Sequence, residues 1–298
     1  MPSSVGRATA WADRHARVLL IAPAVAAVAV VVLYPLGYSL WASFVDEITF
    51  PGYGWAGLTN YRNVVEDADA RAALAHTAIL CGAAVAFELV IGLLLALSVS
   101  TGRAWRRTLI PLLVLPMFAS SVTAGQFWRL LLDPHRGPVD FLLGKLIGHH
   151  VAIDWSAQTA WTYAGIVFAD AWQWTPIVFL ILFAGLRLIP AELYEAAAMD
   201  GATAWQSFRA ITAPLLAPVV LLALTLRLVD ATKLFDVPFV FGGKAAQTQT
   251  ASLYLYHQGF TNFFYSYAAA GSWLFVLIVA AVATLLSYPL LRPGAFAR

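Results

Sequence analysis

The sequence predicts an all-α, polytopic membrane protein with about six transmembrane helices, and three observations carry that expectation. Hydrophobic residues make up 61% of the 298 residues and charged residues only 11%, where a soluble chain averages about half apolar and a quarter charged. The apolar residues gather into runs near the roughly 20 residues that cross a hydrocarbon core. Tryptophans stand near the ends of those runs, at Trp41, Trp55, Trp105, Trp128, Trp155 and Trp161, as in an interfacial belt where the ring is apolar and the N–H stays wet. A net charge of +2 gives no argument for a nucleic-acid partner. The lone cysteine, Cys81, has no intramolecular disulfide partner and reads as a small buried hydrophobe.

The expected spans are 18–41, 76–100, 108–132, 160–186, 214–235 and 267–291, in a single domain of residues 1–298, with a loop at 187–213. The first follows Arg7, Arg14 and Arg17, as a signal peptide would. Its apolar run is too long for a signal core and leads into further spans, so it reads as an uncleaved helix. Pro111 and Pro116 fall in the third span and Pro176 in the fourth.

Six spans place both termini on one side, and basic residues choose the side. The two tails and the loops after spans two and four carry Arg7, Arg14, Arg17, Arg103, Arg106, Arg107, Arg187, Arg209, Arg292 and Arg298. The other loops are poorer in cations, and the first of them holds Asp46, Glu47, Glu66, Asp67 and Asp69. The termini are therefore expected in the cytoplasm, with residues 45–75, 133–159 and 236–266 outside.

The loop at 187–213 reads as two short helices joined at a bend. Pro190 suits a first helical position, and Glu192 and Glu195 suit the positive end of a helix. The run Ala196-Ala197-Ala198 favours helix and leaves a smooth surface. Gly201 is a natural stop. Thr203 and Gln206 have capping-box spacing for a second helix, and Pro214 lies at the entry to span five. By these features alone the segment is either a docking element or an amphipathic connector.

The pattern Glu195-Ala196-Ala197, three residues, Gly201, nine residues, Ile211, one residue, Ala213-Pro214 resembles the signature loop of permease subunits of bacterial ABC importers, with Ala213 where leucine is usual. The form Glu-Ala-Ala-x-x-Asp200-Gly201-Ala202, preceded by Ile189-Pro190, is similar to the carbohydrate-uptake branch of the maltose and glycerol-3-phosphate type. So are Trp172-Gln173-Trp174-Thr175-Pro176 and Arg227-x-x-Asp230-x-x-Lys233-x-Phe235-Asp236. The resemblance implies a type I importer permease fold. It implies that Glu195, Ala196, Ala197, Asp200, Gly201, Ile211 and Pro214 couple to a separate ATPase. It also implies a second homologous permease, two ATPase subunits that hold ATP and magnesium, an external solute-binding protein, and a bacterial inner membrane. The solute is then a sugar, a sugar derivative or a polyol, with glycerol phosphodiesters or glycerol 3-phosphate as the alternative. The chain itself needs no cofactor and no metal.

Ionisable residues inside a membrane face protein or water. Arg227, Asp230, Lys233 and Asp236 recur every three residues, so opposite charges on one face can pair. They form either a self-neutral ladder near the outer interface or a polar stripe along the solute path. Asp170, Gln173 and Thr175 beside Trp172 and Trp174 offer the hydroxyl partners and aromatic faces a sugar uses, or helix-packing polar groups and an interfacial belt. The candidate path residues are Asp170, Trp172, Gln173, Trp174, Asp230 and Lys233. Glu88 lies in an apolar run with its partner open, on another helix or another subunit. His149 and His150 read as loop histidines. Gly242-Gly243-Lys244 is followed by alanine and is not a phosphate-binding loop. A membrane-embedded enzyme and a non-transporting scaffold subunit remain rival classes.

Overall fold

The computed structural model describes residues 20–101, 103–149, 151–156, 158–241 and 248–291, with the side chains of 101, 103–108 and 289–291 outside that description. Arg7, Arg14, Arg17, His150, Gly242, Gly243, Lys244, Arg292 and Arg298 lie outside the described residues, as do the side chains of Trp105, Arg103, Arg106 and Arg107.

Among the described residues the elements are helical: α1 (Leu20–Ala42), α2 (Thr59–Glu66), α3 (Ala68–Thr101), α4 (Arg103–Val114), α5 (Ser121–Leu131), α6 (Pro138–Ile147), α7 (Thr159–Arg187), α8 (Ala191–Met199), α9 (Ala204–Ala231), α10 (Asp236–Phe241), α11 (Ala251–Tyr256) and α12 (Tyr265–Leu291). Five are long and apolar enough to cross a bilayer: α1, α3, α7, α9 and α12. In lipid a helix satisfies its own backbone groups, so apolar runs of this length become helices.

The third expected span, 108–132, is not one straight helix. It breaks after a 3₁₀ turn at Leu115–Phe118, and Leu109–Phe118 meets Ser121–Leu131 at 103°. Pro111 and Pro116 each remove a backbone donor, and Ala119 and Ser120 take extended conformations. Gln173 Nε2 donates to the Ala119 carbonyl at 2.7 Å, so a neighbouring helix satisfies a carbonyl that the break leaves free.

The described residues divide into two compact units, those within 1–66 with 257–274 and those within 67–256 with 275–298. In the first, α1 is exposed along its apolar stretch. The Ser43 and Tyr61 hydroxyls meet at 2.7 Å, and Asn60 Nδ2 donates to the Ser43 and Val45 carbonyls. The Glu47 carboxylate accepts from the amides of Tyr265 and Ser266, which otherwise lack partners at the start of α12.

In the second unit, α3, α7 and α9 form the core. Close approach depends on small residues: a Cβ at Gly92 would stand 2.9 Å from Val178 Cγ1, and one at Gly185 would stand 2.8 Å from Val219 Cγ1. Around these contacts pack Ala96, Phe179, Leu182, Leu216 and Ala223. Trp155 leaves the expected belt. It is buried, and its Nε1 donates to Asp140 Oδ1 at 3.0 Å, because an indole N–H inside a protein needs a fixed acceptor.

Candidate functional site

α9 begins in the loop between the fourth and fifth spans and runs without a break from Ala204 to Ala231. At 1.5 Å per residue, Ala204 and Arg227 stand about 35 Å apart, slightly more than a hydrocarbon core. The coupling candidates lie around its first end and the charged candidates around its second.

At the first end, α8 closes in a Schellman turn. Gly201 N–H donates to the Ala198 carbonyl at 3.1 Å, and Ala202 N–H to the Ala197 carbonyl at 2.9 Å. The turn needs φ of +75° at Gly201, which glycine adopts without strain. Thr203 then caps α9 with both bonds of the capping box to Gln206. Two sequence expectations change here. Pro190 is the residue before α8 rather than its first, because its ψ of 133° is extended. The second short helix is not separate: it continues through a π-turn at Phe208–Thr212 into the fifth span. Glu195, Ala196, Asp200 and Gly201 are exposed, Ala197 and Ile211 are half-buried, and Pro214 is exposed at the start of the apolar part of α9. Leu188, Met199 and Trp205 also stand exposed around the turn. The Tyr194 and Thr212 hydroxyls meet at 2.8 Å and tie α8 to α9.

At the second end lies a charge cluster. Arg227 donates from Nε and Nη2 to the two oxygens of Glu88 on α3, at 2.7 and 2.9 Å. Its Nη2 also donates to Asp170 Oδ2 on α7, and its Nη1 to Asp230 Oδ2 at 3.0 Å. The guanidinium carbon stands 5.1 Å from the centre of the Trp174 ring. The side chains of Arg227, Glu88 and Asp170 are 4%, 0% and 4% exposed, whereas Asp230 is 46% exposed. Lys233, 72% exposed, places Nζ 3.9 Å from Asp230 Oδ1. The spacing of three does pair Arg227 with Asp230, but the pairing reaches two further helices. A sequence pattern confined to one helix could not supply those partners.

Asp170, Trp174, Arg227, Asp230, Lys233 and Asp236 line a polar cavity of about 190 Å³, together with Ser121 at the start of α5. Trp172 and Gln173 do not. Trp172 stacks against Phe127 and lines an apolar cavity of about 400 Å³ with Trp128 and Phe168, and Gln173 serves the break after Phe118. Helical geometry accounts for this parting: residues two apart on a helix point to opposite sides, and residues four apart share a face. Asp170 and Trp174 are four apart. Trp128, expected in the belt, packs beside Trp172 instead.

The family model of the binding-protein-dependent transport system inner membrane component matches residues 88–291. The probable ABC transporter permease protein y4oQ of Sinorhizobium fredii is 33% identical over 275 residues, which cover 91% of this chain and 88% of that protein. The trehalose/maltose transport system permease protein MalF of Thermococcus litoralis is 32% identical over 238 residues, covering 79% and 80% of the two chains. A chain of a bacterial alginate ABC transporter, solved in complex with an alginate pentasaccharide-bound periplasmic protein, superposes with a TM-score of 0.78 at 21% identity over 93% of this chain and 95% of its own. At that identity the superposition speaks for the fold, and the sequence matches speak for kinship. With most of the chain aligned and the long apolar helices in place, this protein belongs to the family of binding-protein-dependent transport system inner membrane components, the multi-pass permeases of ABC transporters.

Proposed function

We propose that this chain is one permease subunit of an ATP-driven importer, that it forms part of the path for a sugar or sugar-like solute, and that residues 187–213 couple it to a separate ATPase. The observation that carries the reading is the exposed α8, Gly201 turn and capped start of α9, on a helix long and apolar enough to cross the membrane that continues to the polar cavity. A rigid rod of this kind carries a displacement at one end to the other. Glu195, Ala196, Ala197, Asp200 and Gly201 present the docking face, and Ile211 and Pro214 set the entry of α9 into the core. Exposed Leu188, Met199 and Trp205 suit a surface that another protein covers.

The partners are a second homologous permease, two ATPase subunits that bind ATP and magnesium, and an external solute-binding protein. ATP is hydrolysed on the ATPases, and this chain does no covalent chemistry. The basic residues of the tails and of loop 187–213 support a cytoplasmic side for both termini. Relatives named for trehalose and maltose and a neighbour named for alginate favour a saccharide over a glycerol phosphodiester. Kinship with permeases favours transport over the enzyme and scaffold classes.

The test is ATP hydrolysis by the reconstituted complex, stimulated by its loaded binding protein. Gly201→Asp is expected to abolish the stimulation while the subunits still copurify. Full stimulation in the variant would overturn the coupling role.

A further inference from the structure

We propose that the polar cavity lined by Asp170, Trp174, Arg227, Asp230, Lys233 and Asp236 discriminates solutes by charge. It accepts neutral polyhydroxylated solutes and rejects those bearing phosphate, sulfonate or carboxylate groups, and Asp230 is the deciding residue. The inference rests on the transport reading above and deepens it, because sequence alone leaves neutral sugars and glycerol phosphodiesters as alternatives.

An arginine in a solute cavity ordinarily invites an anion. Here four of its five donors are taken. Of the five N–H groups of a guanidinium, two go to Glu88, one to Asp170 and one to Asp230. The cation that remains at the wall is Lys233, itself 3.9 Å from Asp230. Three carboxylates and two cations line the cavity, and a fourth carboxylate, Glu88, stands directly behind Arg227. By formal charge the lining itself is negative by one, and a low-dielectric wall strengthens its field.

Apart from the one remaining N–H of Arg227 and the ammonium of Lys233, an entering phosphate faces two alternatives. It stays in the cavity against net negative charge, or it displaces a carboxylate from Arg227. Displacing Asp170 would leave an ionised group buried without its partner. A hydroxyl meets neither obstacle. It donates to the outward oxygen of Asp230 or to Asp236, and these charged acceptors form stronger hydrogen bonds than neutral ones. Asp230 decides because it is the half-exposed member of the set, holding Arg227 with one oxygen and facing Lys233 with the other.

The experiment uses the permease complex with its ATPases in lipid nanodiscs, without binding protein, so that delivery does not filter the solutes. Saturation-transfer difference NMR compares glucose with glucose 6-phosphate, two probes that differ by one phosphate. The wild type is expected to give a several-fold stronger signal for glucose. Asp230→Asn removes one charge and weakens the hold on the Arg227 Nη1 N–H, and should raise the glucose 6-phosphate signal several-fold. Asp236→Asn should move the ratio in the same direction without touching Arg227, which covers a folding defect in the first variant. Lys233→Gln should move it the other way. Equal signals in the wild type, a ratio unmoved by both aspartate variants, or no signal that depends on them would overturn the inference. Loss of stimulation in Gly201→Asp would still leave the coupling role standing in each of those cases.

Discussion

Arg227 and Glu88, 139 positions apart in sequence, meet in a two-pronged ion pair with N–O distances of 2.7 and 2.9 Å. The pair joins α9 to α3, and the same guanidinium reaches α7 through Asp170. Removing one member strands charge inside the core. Arg227→Met is therefore expected to destabilise the protein by about 3–5 kcal/mol. The double variant Arg227→Met with Glu88→Gln should recover part of that loss, because it removes both partners together. Cys81, the sole cysteine, is buried and donates to the Ala231 carbonyl at 2.9 Å. Thermal unfolding followed by a thiol-reactive dye therefore reads the effect directly. Destabilisation no smaller in the double variant than in Arg227→Met would contradict the pairing.

The turn at Gly201 needs a left-handed backbone, and open space surrounds the position where a Cβ would stand. Strain, rather than collision, then sets the order of variants. Gly201→Asn should cost little, since asparagine tolerates this conformation, while Gly201→Val should cost about 1–2 kcal/mol locally. Thr203→Ala, which deletes the cap of α9, should cost about 1 kcal/mol. Hydrogen exchange over residues 191–207 measures all three. Equal protection in the asparagine and valine variants would show that the φ of Gly201 does not matter.

Two glycines on α3 differ sharply. A Cβ at Gly92 would come within 2.9 Å of Val178 Cγ1 and 3.2 Å of the Phe179 backbone nitrogen, whereas one at Gly82 meets nothing within 4 Å. Gly92→Ala should cost about 1–3 kcal/mol through overpacking. Gly82→Ala should be neutral or stabilising by up to about 1 kcal/mol, from helix propensity alone. Unfolding midpoints of the purified protein decide this, and an equal effect at both sites would refute the close approach of α3 and α7.

Outside the spans, Asp133 Oδ1 accepts from the amides of His135 and Arg136 at 2.9 and 2.8 Å. These bonds hold its carboxyl below the ordinary carboxylate value. A depressed acid stabilises the folded turn above its unfolded pKa and loses that stabilisation as pH falls through the lower folded value. Protection of the two amides, corrected for intrinsic exchange, should therefore fall on acidification. Asp133→Asn keeps an acceptor but has no charge to lose, so its protection should be flatter with pH. The same pH profile in both proteins would rule out the carboxylate as the cause.

By itself, the sequence determined the helical class, the family, the apolar stretches that become α1, α3, α7, α9 and α12, and the turn between α8 and α9. The family rests on matched motifs; each of the others follows from forces that act within a short stretch of chain. Lipid demands long apolar helices, and a Schellman turn with a capping box closes its bonds over a few neighbouring residues. Tertiary structure alone decided the rest. It bent the third span by 103° where Gln173 reaches Ala119, placed Trp172 on an apolar cavity and Trp174 on a polar one, and gave Glu88 its partner. The physical reason is that a buried charge or a freed carbonyl must be satisfied by whatever group the packing brings beside it. That group stood 139 residues away for Glu88 and 54 for Ala119.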